Sequence, residues 1–136
     1  MIRPIIHDPL FLAIPSEDAN ESDQKIIADL KDTLLFHRDK CVGMAANMIG
    51  IRKNIIIVLA GFSPLIMVNP VLLSKKKPYA AQEGCLSLSG ERTAQRFEEI
   101  EVRYLDEYFQ PRREKYSGWI AQIIQHEMDH CRGILI

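Results

Sequence analysis

Apolar residues recur at helical spacing over residues 23–39, where Ile26, Ile27, Leu30, Leu34 and Leu35 gather on one face and Lys25, Asp29, Lys31 and Asp32 fall mostly between them. Ser22 stands as the N-cap, with Asp23 in the first turn where the helix dipole favours negative charge. From Cys41 to Gly50 the chain turns small and glycine-punctuated, which reads as irregular backbone that comes close to another group. The β-branched run from Ile55 to Leu59 predicts a buried strand, and Leu65 to Leu73 a second one with an edge or bulge at Asn69-Pro70. Alternation over Phe97–Leu105 predicts a half-exposed strand, Asp106–Pro111 a turn, and Arg112–Tyr116 the returning arm of a hairpin. Ser117 caps a second helix through Trp119, Ile120, Ile123, Ile124 and Met128 to about Cys131, and Gly133 lies where a helix-ending glycine belongs. Two helices separated by antiparallel-type strands, with no βαβ alternation, give an α+β class. No repeat or linker divides the chain, so a single domain over 1–136 is expected.

Composition narrows the function classes. The 136 residues are 47% hydrophobic and 26% charged, enough for one packed core and too apolar for disorder. A formal net charge of −1 argues against a general nucleic-acid or membrane-surface binder. Arg3, Pro4, His7, Asp8 and Pro9 interrupt the N-terminal apolar stretch well short of a signal-peptide core, and no run approaches the length of a membrane helix. Cys41, Cys85 and Cys131 are odd in number and widely spaced, which disfavours a disulfide framework and makes the cytoplasm the expected compartment.

The chemistry sits in the last helix. His126-Glu127-Met128-Asp129-His130 places two imidazoles four residues apart, one above the other, where they can share a metal ion. Trp119 and Ile123 lie on the same face, so this stripe and its histidines are expected to point into the core. Glu127 lies about 100° round the helix from His126, near enough to act on a water at the metal without binding the metal itself. The competing reading is a surface helix whose histidines meet acids by chance; the glutamate after the first histidine and the shared apolar stripe favour the metal. Helix metallopeptidases of the zincin type take their third ligand from beyond the helix, but only Cys131 to Ile136 follow, with no His, Asp or Glu. The third ligand is therefore expected upstream, with Cys85 in Glu83-Gly84-Cys85-Leu86-Ser87 the best candidate and His7 and His37 read as solvated side chains.

Glu83-Gly84-Cys85-Leu86-Ser87 followed forty-one residues beyond Cys85 by Gln125-His126-Glu127-Met128-Asp129-His130 resembles the peptide deformylase family, and Gly43-Met44-Ala45-Ala46 resembles that family's first motif. The resemblance covers nearly the whole chain. It implies a fold of antiparallel sheets wrapped around the C-terminal ligand helix. It also implies a metallohydrolase that removes the formyl group from the N-terminal formylmethionine of nascent polypeptides, releasing formate. The metal implied is Fe²⁺, with Zn²⁺, Ni²⁺ or Co²⁺ as substitutes, on Cys85, His126 and His130. Glu127 would be the general acid and base, the backbone amide of Leu86 an oxyanion donor, and Glu83 an orienting group. Val42, Trp119 and Ile123 are candidates for the methionine pocket, against plain core packing, Gly43 is a further candidate for substrate binding, and Arg92 for a contact to the substrate backbone, against a surface arginine. Asp129 reads as a structural ion-pair partner. Lys75-Lys76-Lys77 reads as a solvated turn, with transient contact to ribosomal RNA the alternative.

The chain departs from the family pattern at three places. Cys41 stands for the first glycine of the first motif, and Met48 for a glutamine whose side-chain N–H would meet the developing oxyanion. A thioether cannot donate. Asn47 could replace it only through a bulge, since adjacent side chains of an extended segment point to opposite faces. Loss of one oxyanion donor elsewhere costs about 10²–10³ in rate, so weakened deformylation is expected. A metal-binding relative that has lost the reaction is the rival, and an HExxH peptidase a further one. Lastly, six residues follow His130, and the missing longer tail is read as trimming outside the ligand set. Cys131 and Cys41 read as small hydrophobes, with the second near enough to a substrate groove to interfere if oxidised.

Overall fold

The computed structural model describes residues 1–61 and 63–136. Its five strands, β1 (Gly43–Ala45), β2 (Ile55–Ala60), β3 (Ser63–Gly84), β4 (Glu91–Leu105) and β5 (Pro111–Ser117), form one antiparallel meander in chain order. Three helices accompany it: α1 (Pro9–Leu12), α2 (Gln24–Phe36) and α3 (Gly118–Cys131). Ile55, Ile56, Ile57 and Val58 of β2 are all fully buried. Burial at successive positions requires cover on both faces of the sheet, and α2 and α3 both pack against β2.

On α2, Ile27, Leu30 and Leu34 form the buried stripe, while Leu35 is exposed. Asp29 is buried beside them, held by Arg3 at 2.8 Å and by the amino terminus at 3.0 Å. The cap lies at Asn20 rather than Ser22. Asn20 accepts from the Ser22 N–H, Asp23 accepts from the Asn20 N–H, both at 2.9 Å, and a 3₁₀ turn over Glu21–Asp23 precedes the helix. This reciprocal pair satisfies two orphan donors where a Ser22 cap would satisfy one. The helix ends at Phe36, short of the expected 39.

The bulge expected at Asn69-Pro70 is present. Asn69 has φ 51°, and the β3–β4 register shifts between Val68 and Val71 and again between Leu72 and Ser74. The Asn69 side chain accepts from the Ala19 N–H at 2.7 Å and donates to the Ala19 carbonyl at 2.9 Å, anchoring the bulge. Beyond it β3 does not stop near Leu73 but runs to Gly84, and β4 begins at Glu91 rather than Phe97. Lys75-Lys76-Lys77 therefore lies in a paired strand and not in a turn: Lys75 stands opposite Ile100 and Lys76 opposite Glu99. Ladder pairing leaves their side chains free to face water, with Lys77 3.5 Å from Glu99 and Lys75 over the Phe97 ring.

The helix α3 packs against β1, β2, β4 and β5, so the sheet curves round it. Ser117 occupies its N-cap without a side-chain capping bond. At its far end Gly133 has φ 77°, and a Cβ there would stand 2.5 Å from the Ala13 carbonyl oxygen, so the expected C-terminal glycine is demanded twice over. No helix among the described residues is long and apolar enough to cross a membrane.

Candidate metal centre

The sheet delivers the third candidate ligand. β3 ends at Gly84 and β4 returns from Glu91, so Cys85 sits at the start of the connecting loop. From the other side, α3 presents His126, Glu127 and His130, all buried. Cys85 Sγ lies 3.2 Å from His130 Nε2, which in turn lies 3.2 Å from His126 Nε2. The three ligand atoms are all within 4.8 Å of one another. Two nitrogens about 2.0–2.1 Å from one tetrahedral ion stand roughly 3.3 Å apart, so the cluster has the dimensions of a coordination face. One thiolate and two imidazoles also leave a fourth position open, the arrangement of a catalytic rather than a structural site. The residues fit a divalent metal.

A buried set of partners orients the ligands. His126 Nδ1 donates to Glu83 at 2.8 Å, which fixes the tautomer and turns Nε2 toward Cys85 and His130. Glu83 in turn takes two bonds from Arg96, at 2.7 and 2.9 Å, and one from Gln122 at 3.1 Å. Arg96 reaches on to Asp129 at 2.7 Å, so Asp129 is an ion-pair partner and one guanidinium joins β3, β4 and α3. Burial raises the Glu83 pKa, but its bonds to His126 and Arg96 outweigh that and hold it at about 2. Burial lowers His126, yet the Glu127 charge and the bonds to Cys85 and Glu83 carry it up to about 10, so a metal at Nε2 would take the place of a proton there while Nδ1–H stays on Glu83. Burial and the neighbouring His126 charge push His130 down to about 3, so it offers a neutral ring to a metal. Burial pushes Glu127 up to about 7 against the charge of His126, and its Oε1 has no hydrogen-bond partner among the described residues. Such a carboxylate is an acceptor held ready beside the ligand cluster.

Arg96 carries a prediction of its own. It is 4% exposed, and its removal strips Asp129 of its ion-pair partner and leaves Glu83 with His126 alone. Arg96→Leu is expected to destabilise the protein by about 3–5 kcal/mol. Urea unfolding followed by circular dichroism checks this; a loss below about 1 kcal/mol would show the cluster to be dispensable.

The polypeptide deformylase family model matches residues 4–136. The chain belongs to the polypeptide deformylase family. A peptide deformylase of Clostridium beijerinckii is 51% identical over 136 residues, covering 100% of both chains. The crystal structure of a peptide deformylase from Legionella pneumophila superposes with a TM-score of 0.89 at 31% identity, over 99% of this chain and 83% of that one. A Met-Ala-Ser-bound crystal structure of a class I type b peptide deformylase from Acinetobacter baumannii gives a TM-score of 0.89 at 25% identity, over 99% and 96%.

A cleft of about 630 Å³ opens onto the cluster and collects most of the other residues expected of a deformylase site: Val42, Gly43, Met48, Leu86, Trp119 and Ile123 all line it. Gly43 is there because nothing larger fits. A Cβ on it would stand 2.7 Å from Ile123 Cγ2 and 2.8 Å from Glu127 Oε2, so any side chain at this position displaces the buried acid. Trp119 departs from expectation. It is 62% exposed, because it lies in the first turn of α3 at the cleft mouth instead of in the core with Ile123. Arg92 does not line the cleft; its guanidinium lies 3.4 Å from the Ser89 carbonyl.

The first motif is also more regular than expected, with β1 followed by a 3₁₀ turn over Ala46–Ile49. Asn47 is committed elsewhere, donating to the His130 carbonyl at 2.9 Å, so it does not replace the missing glutamine amide. Met48 is 1% exposed and its sulfur accepts from the Ala45 N–H at 3.4 Å. Cys41 is half-buried, its thiol donates to the Gly43 carbonyl at 2.7 Å, and burial pushes its pKa up to about 12, so it stays a neutral thiol. Two residues at the site carry no clear sequence signal. Arg96 carried only the signal that Glu83 and Asp129, one beside each ligand motif, share a need for positive charge. The sequence predicts a solvated His7, yet the side chain lines the cleft and lies 2.9 Å from the Ser87 carbonyl, a contact across 80 residues that no local pattern announces.

Proposed function

We propose that this chain is a metal-dependent hydrolase that removes the formyl group from N-formylmethionyl peptides and releases formate, in the cytoplasm where nascent chains carry that group. The observation that carries the reading is the meeting of Cys85, His126 and His130 beside the buried Glu127 at one cleft. These three residues would hold the metal, which when bound supplies Lewis acidity toward a water and the formyl carbonyl. Glu127 takes the proton of the attacking water and returns it to the departing amine. The Leu86 backbone N–H donates to the oxygen that gains charge. Gly43 and Ile123 form the inner wall for the methionine side chain, with Val42 and Trp119 at the rim. A peptide of Met-Ala-Ser chemistry, as bound to the Acinetobacter relative, is the length of ligand the cleft would take. Arg92 keeps at most a peripheral role. A thiolate with two imidazoles accepts Fe²⁺, Zn²⁺, Co²⁺ or Ni²⁺, and Fe²⁺ is the metal that we propose, as the family resemblance implies.

Formate release from formyl-Met-Ala-Ser, by anaerobically purified protein loaded in turn with Fe²⁺, Ni²⁺ and Zn²⁺, tests the reading. Turnover of the formylated peptide with no cleavage of unformylated Met-Ala-Ser is the expected outcome. Met48 favours one second reading, a metal-binding relative without the activity. Stoichiometric metal with no formate from either the parent or Met48→Gln would establish it, and cleavage of unformylated peptides would instead establish a peptidase.

A further inference from the structure

We infer that His7 is a positioning residue for the oxyanion side of the cleft: its imidazole holds the loop carrying Cys85 and the Leu86 amide at a set separation from the Ala46–Ile49 turn. The inference rests on the hydrolase reading above.

Two neighbouring residues make the bridge. The Ile6 N–H donates to the Met48 carbonyl at 2.8 Å, and His7 Nδ1 donates to the Ser87 carbonyl at 2.9 Å. A carbonyl only accepts, so Nδ1 carries the proton. The dipeptide Ile6-His7 thus ties together two segments remote in sequence, one bearing Met48 and the other Cys85 and Leu86; His7, Met48, Cys85 and Leu86 all line the same cleft.

The loop needs such a tie. Leu86 borders the catalytic cleft on one side and a second cavity of about 400 Å³ on the other, the latter also lined by His7 and Phe36. Glycines at 84 and 90 bracket the loop, Gly90 with φ 77°, so its own backbone does little to stiffen it. With space on both sides of Leu86, a hydrogen bond to the next carbonyl along is a direct way to fix where the Leu86 N–H points. An oxyanion donor must be held within a few tenths of an ångström of the position where charge develops. This matters more here than in a chain with a glutamine at position 48, because Met48 leaves the Leu86 amide without a side-chain partner donor.

The test compares the parent with His7→Ala, His7→Asn and His7→Gln in the metal-loaded full chain. Asparagine places its amide nitrogen where the imidazole carries Nδ1, whereas glutamine places it one carbon further out. His7→Ala is expected to lower kcat for formyl-Met-Ala-Ser about three- to tenfold with KM within about twofold, the effect of one hydrogen bond felt through another group. It should also speed hydrogen exchange across residues 84–90, measured by mass spectrometry of the same metal-loaded samples. His7→Asn is expected to restore both readouts, and His7→Gln neither. Unchanged exchange in His7→Ala, or equal defects in His7→Ala and His7→Asn, would overturn the inference. If the parent itself releases no formate, the hydrolase reading falls, and the exchange comparison alone decides whether His7 holds the loop.

Discussion

Glu127→Gln is expected to keep its metal and lose its turnover. The side chain is 5% exposed and not among the ligand atoms, so exchanging an oxygen for an amide leaves Cys85, His126 and His130 as they were. What disappears is the proton acceptor. The substituted amide could still hydrogen-bond a water but could neither take its proton nor return one to the leaving amine, which removes about 10²–10⁴ of rate. Gly43 makes the isosteric change preferable to a larger one, since the space beside the carboxylate is already taken by backbone and by Ile123. Metal analysis alongside formate release checks both halves. A variant with full metal and more than about a tenth of the parent kcat would remove Glu127 from the mechanism.

Met48→Gln is expected to act in the opposite direction, raising kcat by about 10²-fold, the lower end of what one oxyanion donor contributes. The structure shows how the new side chain would sit. Met48 is nearly fully buried, and its sulfur already accepts from the Ala45 N–H at 3.4 Å. A glutamine of similar length can give its carbonyl oxygen to that N–H and leave its NH₂ group free to donate toward the cleft. Asn47 does not compete for the role, because its amide is tied to the His130 carbonyl. The gain should appear in kcat with KM little changed, since the added bond is strongest when charge has developed on the oxygen. A fall in kcat, or a gain confined to KM, would show that the cleft does not draw on position 48 for the transition state.

Much of this protein was legible before any coordinates. The His126–His130 pair follows from helical period alone, because residues four apart meet on one face whatever the surroundings. Cys85 emerged from exclusion of downstream ligands, and the asparagine bulge in β3 from the chemistry of Asn-Pro. Illegible segments share a physical cause. Residues 74–84 and 91–96 are strands with polar, mostly exposed side chains, so pairing holds them and no apolar alternation marks them. Their burial pattern turns inward only at isolated positions, notably Glu83 and Arg96, which are charged. A charge inside a strand reads as solvent-facing until the partner that neutralises it is known. Trp119 fails for the reverse reason: it has the right helical phase, but phase cannot say how far along a helix the cover extends.

The sequence by itself determined the fold class, the ligand helix, the three candidate ligands and the departure at Met48, because each rests on residue chemistry, on a motif or on short-range geometry. Only the tertiary structure decided that Arg96 neutralises Glu83 and Asp129 together, that Asn47 is spent on the ligand helix, and that His7 meets the Ser87 carbonyl of the cysteine loop. These contacts link residues 13 to 83 positions apart. Such pairs are brought together by the long β3–β4 ladder and by the packing of α3 against the sheet, and neither distance nor direction between them is encoded in any local period.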